Sequence, residues 1–225
     1  MSHGSDDTPQ LRKLAGEGLT KGRVEALTDG ILAVAMTILV LDIKIQANDS
    51  ILTDAHLLRH LLDVERTFSV YIVSFVVLGM NWVAHTVQFH YVKRVDRFML
   101  WGNLLFMLLV TLVPFTTNLL ITYDALLLPN VIYSVNQLLL ATALLLNINY
   151  LSRNMHLADA ALTPQIVAFI HRRLLLAAAI PVLAIAVAFV NARVSLYVYL
   201  LMLLAHIFPR EIDSRMRHWS GKGKP

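Results

Sequence analysis

Two carboxylates, Asp29 and Asp42, are the side chains with the clearest potential for chemistry, because both stand near the ends of an apolar stretch, Arg23–Ile45. The stretch holds about twenty apolar or small residues, enough to cross a bilayer core of ~30 Å at ~1.5 Å per residue. A charged group in a membrane span is costly and is a functional-site candidate by default. The pair therefore marks the first span as the place to look for function.

Other chemistry has little support in this sequence. The chain contains no cysteine, which excludes a disulfide framework, thiol catalysis and cysteine metal sites. His56 and His60 are four residues apart, but two histidines without a third ligand do not make a zinc site. We therefore predict no catalytic residues, no metal and no cofactor, and do not expect an enzyme.

The composition is typical of a protein that crosses the membrane several times. Of the 225 residues, 57% are hydrophobic and only 15% are charged, and the mean hydropathy is +0.62. A soluble domain is nearer half apolar and a quarter charged. We expect membrane lipids around the chain and no nucleic-acid partner.

The hydrophobic runs predict an all-α, polytopic fold with six transmembrane helices. These spans are Arg23–Ile45, Phe68–Tyr91, Phe98–Ile121, Leu126–Leu151, Leu174–Val190 and Val194–Phe208. The domain organisation follows from them: a polar cytoplasmic leader (1–22) without a cleavable signal peptide, a transmembrane domain (23–209) and a basic cytoplasmic tail (210–225). Leucines at helical spacing after the first span predict a short amphipathic helix, and Thr163–Pro164 is typical of a helix start.

The distribution of basic residues predicts the orientation. With six spans and the N-terminus inside, only four of the 19 lysines and arginines lie in outside segments, namely Lys44, Arg59, Arg66 and Arg193. The other 15 then lie inside, as the positive-inside rule requires. We therefore expect a multi-pass protein of the plasma membrane with both termini cytoplasmic.

The first span has two stripes at helical periodicity. Branched aliphatic residues form one continuous stripe, which comprises Leu27, Ile31, Val34, Ile38, Leu41 and Ile45. Small residues form a second stripe beside it, which comprises Ala26, Gly30, Ala33 and Thr37. Small residues at this spacing let membrane helices approach closely. We expect the small stripe to be a packing face, and we expect Asp29 to be buried in protein.

Several motifs in the first three spans resemble a known family. The segment Arg23-x-x-x-Leu27-Thr28-Asp29 is similar to the signature Arg-x-x-x-Phe-Ser-Asp of the transmembrane protein 175 potassium channels. Trp82-x-x-His85 follows in the second span, and Asn103-Leu-Leu and Pro114-Phe-x-Thr follow in the third. Leu27 keeps the apolar volume of phenylalanine, and Thr28 keeps the hydroxyl of serine.

The resemblance implies a homotetramer around a central pore that is lined by the first helix. Potassium is then the permeant ion, and aliphatic layers on this helix gate and filter it. The constriction positions of the family correspond to Val34, Ile38 and Leu41, and a selectivity threonine corresponds to Thr37. Val34 is smaller than the isoleucine or leucine common at its layer, which predicts a looser constriction. Asp42 is expected at the outer mouth, where it raises the local cation concentration.

A set of polar side chains is expected to position the pore helix at its cytoplasmic end. This structural network consists of Arg23, Thr28, Asp29, Trp82, His85 and Asn103. Arg23 does not share a face with Asp29, so their pairing would be between helices or between subunits. His85 would also allow a response to pH.

Two other functions stay open at this point. A secondary transporter would need interrupted helices and a polar midplane site, and a related channel could be permeable to protons. Asn136, Gln137, Asn147 and Asn149 in the fourth span are either part of a solute path or interhelical hydrogen bonds.

Overall fold

The computed structural model describes residues 20–43, 53–63, 65–123 and 125–200. The predicted leader up to residue 19, Ile45, the sixth span beyond residue 200 and the basic tail lie outside the described residues. The side chains of His56 and His60 are likewise not described.

The described residues are helical, with short connections and no strand. The helices are α1 (Lys21–Ile38), α2 (Asp54–Asp63), α3 (Glu65–His90), α4 (Arg97–Thr122), α5 (Leu127–Arg153), α6 (Pro164–Val190) and α7 (Ala192–Ser195). Short 3₁₀ segments follow α1 at Leu39–Asp42 and α7 at Leu196–Tyr199.

Five of these helical segments are long and apolar enough to cross a membrane: α1 with its 3₁₀ extension, α3, α4, α5 and α6. The predicted all-α polytopic class is therefore confirmed. The short amphipathic helix is also present, as α2. The predicted sixth span begins at α7 and continues beyond the described residues.

Side-chain caps fix where two of the spans begin. Asp96 caps α4, because its Oδ1 accepts from Met99 N at 2.9 Å. Thr163 caps α6, because its Oγ1 accepts from Ile166 N at 3.4 Å, and Pro164 occupies the first helical position. The fifth span therefore starts well before Leu174, as the Thr-Pro pair predicted.

Three of the four amide side chains singled out in α5 bind neighbouring helices, whereas the buried Nδ2 of the fourth, Asn147, has no hydrogen-bond partner in the part of the chain that the structure describes. Gln137 Oε1 accepts from Asn81 of α3 at 3.4 Å. Asn136 Nδ2 donates to the carbonyl oxygen of Leu109 in α4 at 3.3 Å. Asn149 Oδ1 lies 2.6 Å from His171 Nε2 in α6. Each of these three amides makes an interhelical contact, which favours the packing role over a solute path.

Two connections meet at one end of the bundle. Val92 and Ala158 form a short antiparallel bridge, and Lys93 N donates to the carbonyl oxygen of Leu157 at 2.8 Å. The N-terminus of α1 reaches the same end, because Lys21 Nζ lies 3.5 Å from His90 O. Three groups of basic residues that the charge rule assigned to the inside are thus brought to one end of the bundle, which we call the basic end. They are Lys21 and Arg23; Lys93, Arg94 and Arg97; and Arg153, Arg172 and Arg173.

The close packing of α4 against α5 leaves little room for a side chain at Gly102. A Cβ atom added at Gly102 would overlap the Oδ1 of Asn147, which is buried. At Gly79 in α3, an added Cβ would meet only Met36 Cε, at 3.7 Å.

We expect Gly102→Ala to destabilise the bundle by about 1–3 kcal/mol through overpacking. In a chain of this size that lowers the melting temperature by about 2–4 °C per kcal/mol. Gly79→Ala is the matched control and should melt no earlier than the wild type in detergent, because alanine favours a helix. Equal melting of the two variants would contradict the packing argument.

Candidate functional site

One face of α1 packs on the bundle and the other does not. The buried face carries Val24, Thr28, Leu32, Ala35 and Leu39 at steps of three and four residues. It contacts α3 and α4. Of the five spans this one is the least buried, with 28% of its apolar window covered against 33–56% for the others.

The predicted aliphatic stripe lies mainly on the uncovered face. Leu27, Val34, Ile38 and Leu41 are 51%, 57%, 42% and 69% exposed, and Ile31 is half-buried. The 3₁₀ turn at Leu39–Asp42 improves the alignment of the stripe, because residues three apart eclipse in such a turn. The side chains of Leu41 and Ile38 therefore lie on nearly the same face of the helix.

The small-residue stripe, which we predicted to be a packing face, is uncovered within the single chain. Ala26, Gly30, Ala33 and Thr37 are all exposed, and a Cβ atom at Gly30 would meet nothing within 4 Å. The residues that pack are instead the larger ones of the buried face. Periodicity identified the stripe but not the surface that it meets.

An apolar groove of about 360 Å³ runs along this uncovered side of α1. Its floor and rim include Gly30, Val34 and Ile38 of α1 together with Thr111 and Pro114 of α4. The volume of the groove is sufficient for apolar side chains of another helix.

Thr37 is the one hydroxyl on the uncovered face of α1. Its Oγ1 donates a hydrogen bond to the carbonyl oxygen of Val34 at 2.8 Å. The hydroxyl proton therefore points into the helix, and the oxygen lone pairs point away from it. An exposed oxygen with free lone pairs is suited to bind a cation.

A chain of hydrogen bonds joins α1 to α4 and α3. Thr28 Oγ1 donates to the carbonyl oxygen of Val24 at 2.9 Å and accepts from Asn103 Nδ2 at 2.8 Å. The amide oxygen of Asn103 then faces His85 Nε2 at 2.7 Å. Since this oxygen only accepts, His85 Nε2 is the protonated nitrogen.

Aromatic rings hold His85 in place. Its ring stacks on Phe89 and Phe106, with centroids 4.2 Å and 5.1 Å away, and the side chain is buried. Thr28, His85 and Asn103 of the predicted network are thus brought together, at the buried contact of three helices.

The charged members of the predicted network lie apart from this chain of bonds. Asp29 is exposed rather than buried, and its Oδ1 accepts from Trp82 Nε1 at 2.9 Å. Arg23 is also exposed and does not contact Asp29 within the described part of the chain. Asp29 is thus held against α3 but remains exposed, so the expectation of a buried Asp29 was wrong for a single chain.

Asp42 has a partner that the sequence did not reveal. Asn118 Nδ2 of α4 donates to Asp42 Oδ1 at 2.8 Å. Thr28 and Asp42 are 14 residues apart on the first span, and their partners Asn103 and Asn118 are 15 apart on α4. The two spans therefore run parallel and in register, bonded at both ends about 21 Å apart.

Comparisons with known proteins agree with the resemblance that the motifs indicated. Residues 23–114 match the family model described as TMEM175, endosomal/lysosomal potassium channel. A relative from Streptomyces collinus that is named a potassium channel is 43% identical over 103 residues, which is 45% of this chain and 48% of the relative. The chain thus spans about half the length of that relative.

A human relative and a solved structure extend the comparison. The human protein, named an endosomal/lysosomal proton channel, is 26% identical over 71% of this chain and 31% of its own length. The solved structure is that of a lysosomal potassium-selective channel TMEM175 homologue from Chamaesiphon minutus. It has a TM-score of 0.70 and 28% identity, and it covers 84% of this chain and 95% of the solved chain. The resemblance to the TMEM175 family is confirmed.

The hydrogen-bond chain at Thr28 gives a direct prediction. Thr28→Val removes the acceptor of Asn103 Nδ2 and leaves a buried donor unpaired, which costs about 1–3 kcal/mol. Thr28→Ser keeps the hydroxyl and should lose much less. Thermal unfolding in detergent, followed by tryptophan fluorescence, measures the difference, and identical melting temperatures for the valine and serine variants would contradict the assignment.

Proposed function

We propose that this protein is a potassium channel of the TMEM175 family, with the uncovered face of α1 as the wall of its pore. The observation that carries the proposal is the exposure of Val34, Ile38 and Leu41. These are the positions to which the family's constriction corresponds, and they form a stripe that no part of the described chain covers. An apolar face alone would also suit lipid. The exposed Arg23 and Asp29 on the same helix favour a face that is completed by other copies or by an ion path.

The pore is formed by four copies of the chain. Each contributes one α1, and the small stripe beside the aliphatic stripe lets neighbouring helices approach closely around the axis. The exposed Arg23 and Asp29 lie at the same end of α1, where they pair between copies. The groove between α1 and α4 receives side chains of the neighbouring subunit.

The aliphatic rings act as the gate. A narrow apolar tube loses its water, and an ion that enters it must shed its hydration shell without replacement. Four copies of Ile38 and Leu41 close the pore in this way without a plug. Opening then requires only enough widening to let water return.

Selectivity follows from the cost of dehydration. Potassium loses its shell more cheaply than sodium, so a dehydrating constriction favours it. The oxygen of Thr37, with its proton donated to Val34, replaces part of the shell beside the rings. Asp42 draws cations to the outer mouth; its hydrogen-bond partner Asn118 is neutral, so the attraction is not cancelled.

The polar network positions this wall. Trp82 bonds Asp29, and His85 acts through Asn103 on Thr28. These contacts fix the rotation of α1 about its axis and hence the direction in which the stripe points. Both termini lie in the cytoplasm and the channel resides in the plasma membrane, in line with the charge distribution.

A proton-permeable channel is the second candidate, since the human relative is named a proton channel. A secondary transporter is less well supported, because α1 continues without a break from Lys21 to Ile38. Such transporters bind substrate at interrupted helices.

Recording from the purified full-length chain in planar bilayers tests the proposal. We expect unitary currents that reverse near the potassium equilibrium potential. We also expect the purified protein to have the mass of four chains in detergent. A monomer, or saturable coupled uptake without unitary currents, would contradict it. Currents that reverse at the proton equilibrium potential would favour the second candidate.

The size of Val34 gives a finer prediction. Val34→Ile adds one methylene to each of four subunits and narrows the ring at this layer. The potassium-to-sodium permeability ratio, obtained from reversal potentials under bi-ionic conditions, should rise. An unchanged ratio would show that this layer does not filter ions.

A further inference from the structure

A second pocket combines apolar walls with a single cation. It lies between α3, α5 and α6, and its walls include Val83, Val87, Leu144 and Phe169. The charged group that lines it is Arg173. The other polar lining residue, Asn81, is buried and already donates to Val77 O and Gln137 Oε1.

Arg173 lacks an anion. Its guanidinium carbon lies 5.7 Å from the ring centroid of Phe169, and the side chain is half-buried. Among the described residues, no carboxylate or hydrogen-bond acceptor is paired with it. The Phe169 ring offers the guanidinium a cation–π contact but no negative charge. A partly desolvated guanidinium without an anionic partner would gain from binding an anion.

The position of the pocket in the bundle indicates the source of this anion. Val87 stands near the C-terminus of α3 and Arg173 near the N-terminus of α6, so both are on the basic end. Arg173 is nine residues into α6, about 14 Å along its axis. That depth suits the boundary between headgroups and acyl chains, and anionic lipids concentrate where basic residues collect.

We infer that this pocket is the headgroup end of a site for an anionic phospholipid, with the phosphate on Arg173. The pocket holds only about 40 Å³, so the acyl chain lies along its outer wall, against Val83, Val87 and Phe169. Arginine matches the geometry of a phosphate with two parallel donors. The apolar walls favour a lipid over free phosphate, because only the lipid covers them. The inference does not depend on ion conduction.

The adjacent arginine supplies a matched control. Arg172 belongs to the same turn of α6 but is exposed and does not line the pocket. Neutralising Arg172 changes the net charge of the protein by the same amount as neutralising Arg173. If the lipid binds at this pocket, only the Arg173 variant should lose it. If the lipid is merely attracted to the basic end, both variants should lose it equally.

Native mass spectrometry of the full-length protein, with phosphatidylglycerol or phosphatidylcholine added to the detergent, tests the site. Wild type should retain phosphatidylglycerol in preference to phosphatidylcholine. Arg173→Gln should weaken phosphatidylglycerol binding about tenfold, while Arg172→Gln should change it by no more than about twofold. Ala84→Leu narrows the apolar part of the pocket and should weaken binding with the arginine intact, which keeps the test decisive if Arg173→Gln does not fold.

Four results would overturn the inference. Equal losses in the two arginine variants would indicate only general charge attraction, and equal retention of the two lipids would exclude recognition of the headgroup charge. Displacement of the lipid by millimolar inorganic phosphate would identify a free-phosphate site. A change of oligomer mass in Arg173→Gln with lipid binding unchanged would show that Arg173 contacts another copy.

Discussion

The attachment of α1 to the bundle by a single face is the constraint on which the rest of the structure depends. Leu32 and Leu39 supply the apolar contact, and Thr28 and Asp42 are bonded to α4 at the two ends. Those two bonds set the register of the helix and its rotation. The same rotation that buries Leu32 turns Val34, Ile38 and Leu41 outward.

Polar and apolar side chains of α1 therefore have different roles. Carboxylates and amides hold and orient the helix, whereas the side chains that would control an ion are plain hydrocarbon. A buried polar group must be paired, so each hydrogen bond of Asn103 holds its partner at a defined distance and angle. An apolar ring needs only the correct diameter, which the positions of the helices determine. Small shifts of α1 would therefore be sufficient to open or close such a pore.

Much of the fold was predictable from the sequence, since long apolar runs give helices and Thr163–Pro164 gives a helix start. Periodicity also placed Val34 and Ile38 on one stripe. It could not show what covers a stripe, so it did not reveal that the small residues around Gly30 are exposed in the single chain. The partner of Asp42 was missed because no local pattern relates it to Asn118, 76 residues later. The 3₁₀ end of the first span, at Leu39–Asp42, had no sequence signal either.

The central claim is that the uncovered face of α1 lines the conduction path. Because the chain contains no cysteine, a single introduced thiol reports its own accessibility during potassium current recording. Silver ions added to open channels should abolish the current of Ile38→Cys, and leave that of Leu32→Cys, whose position is buried against the bundle. A persistent current in Ile38→Cys, or equal block of both variants, would contradict the account.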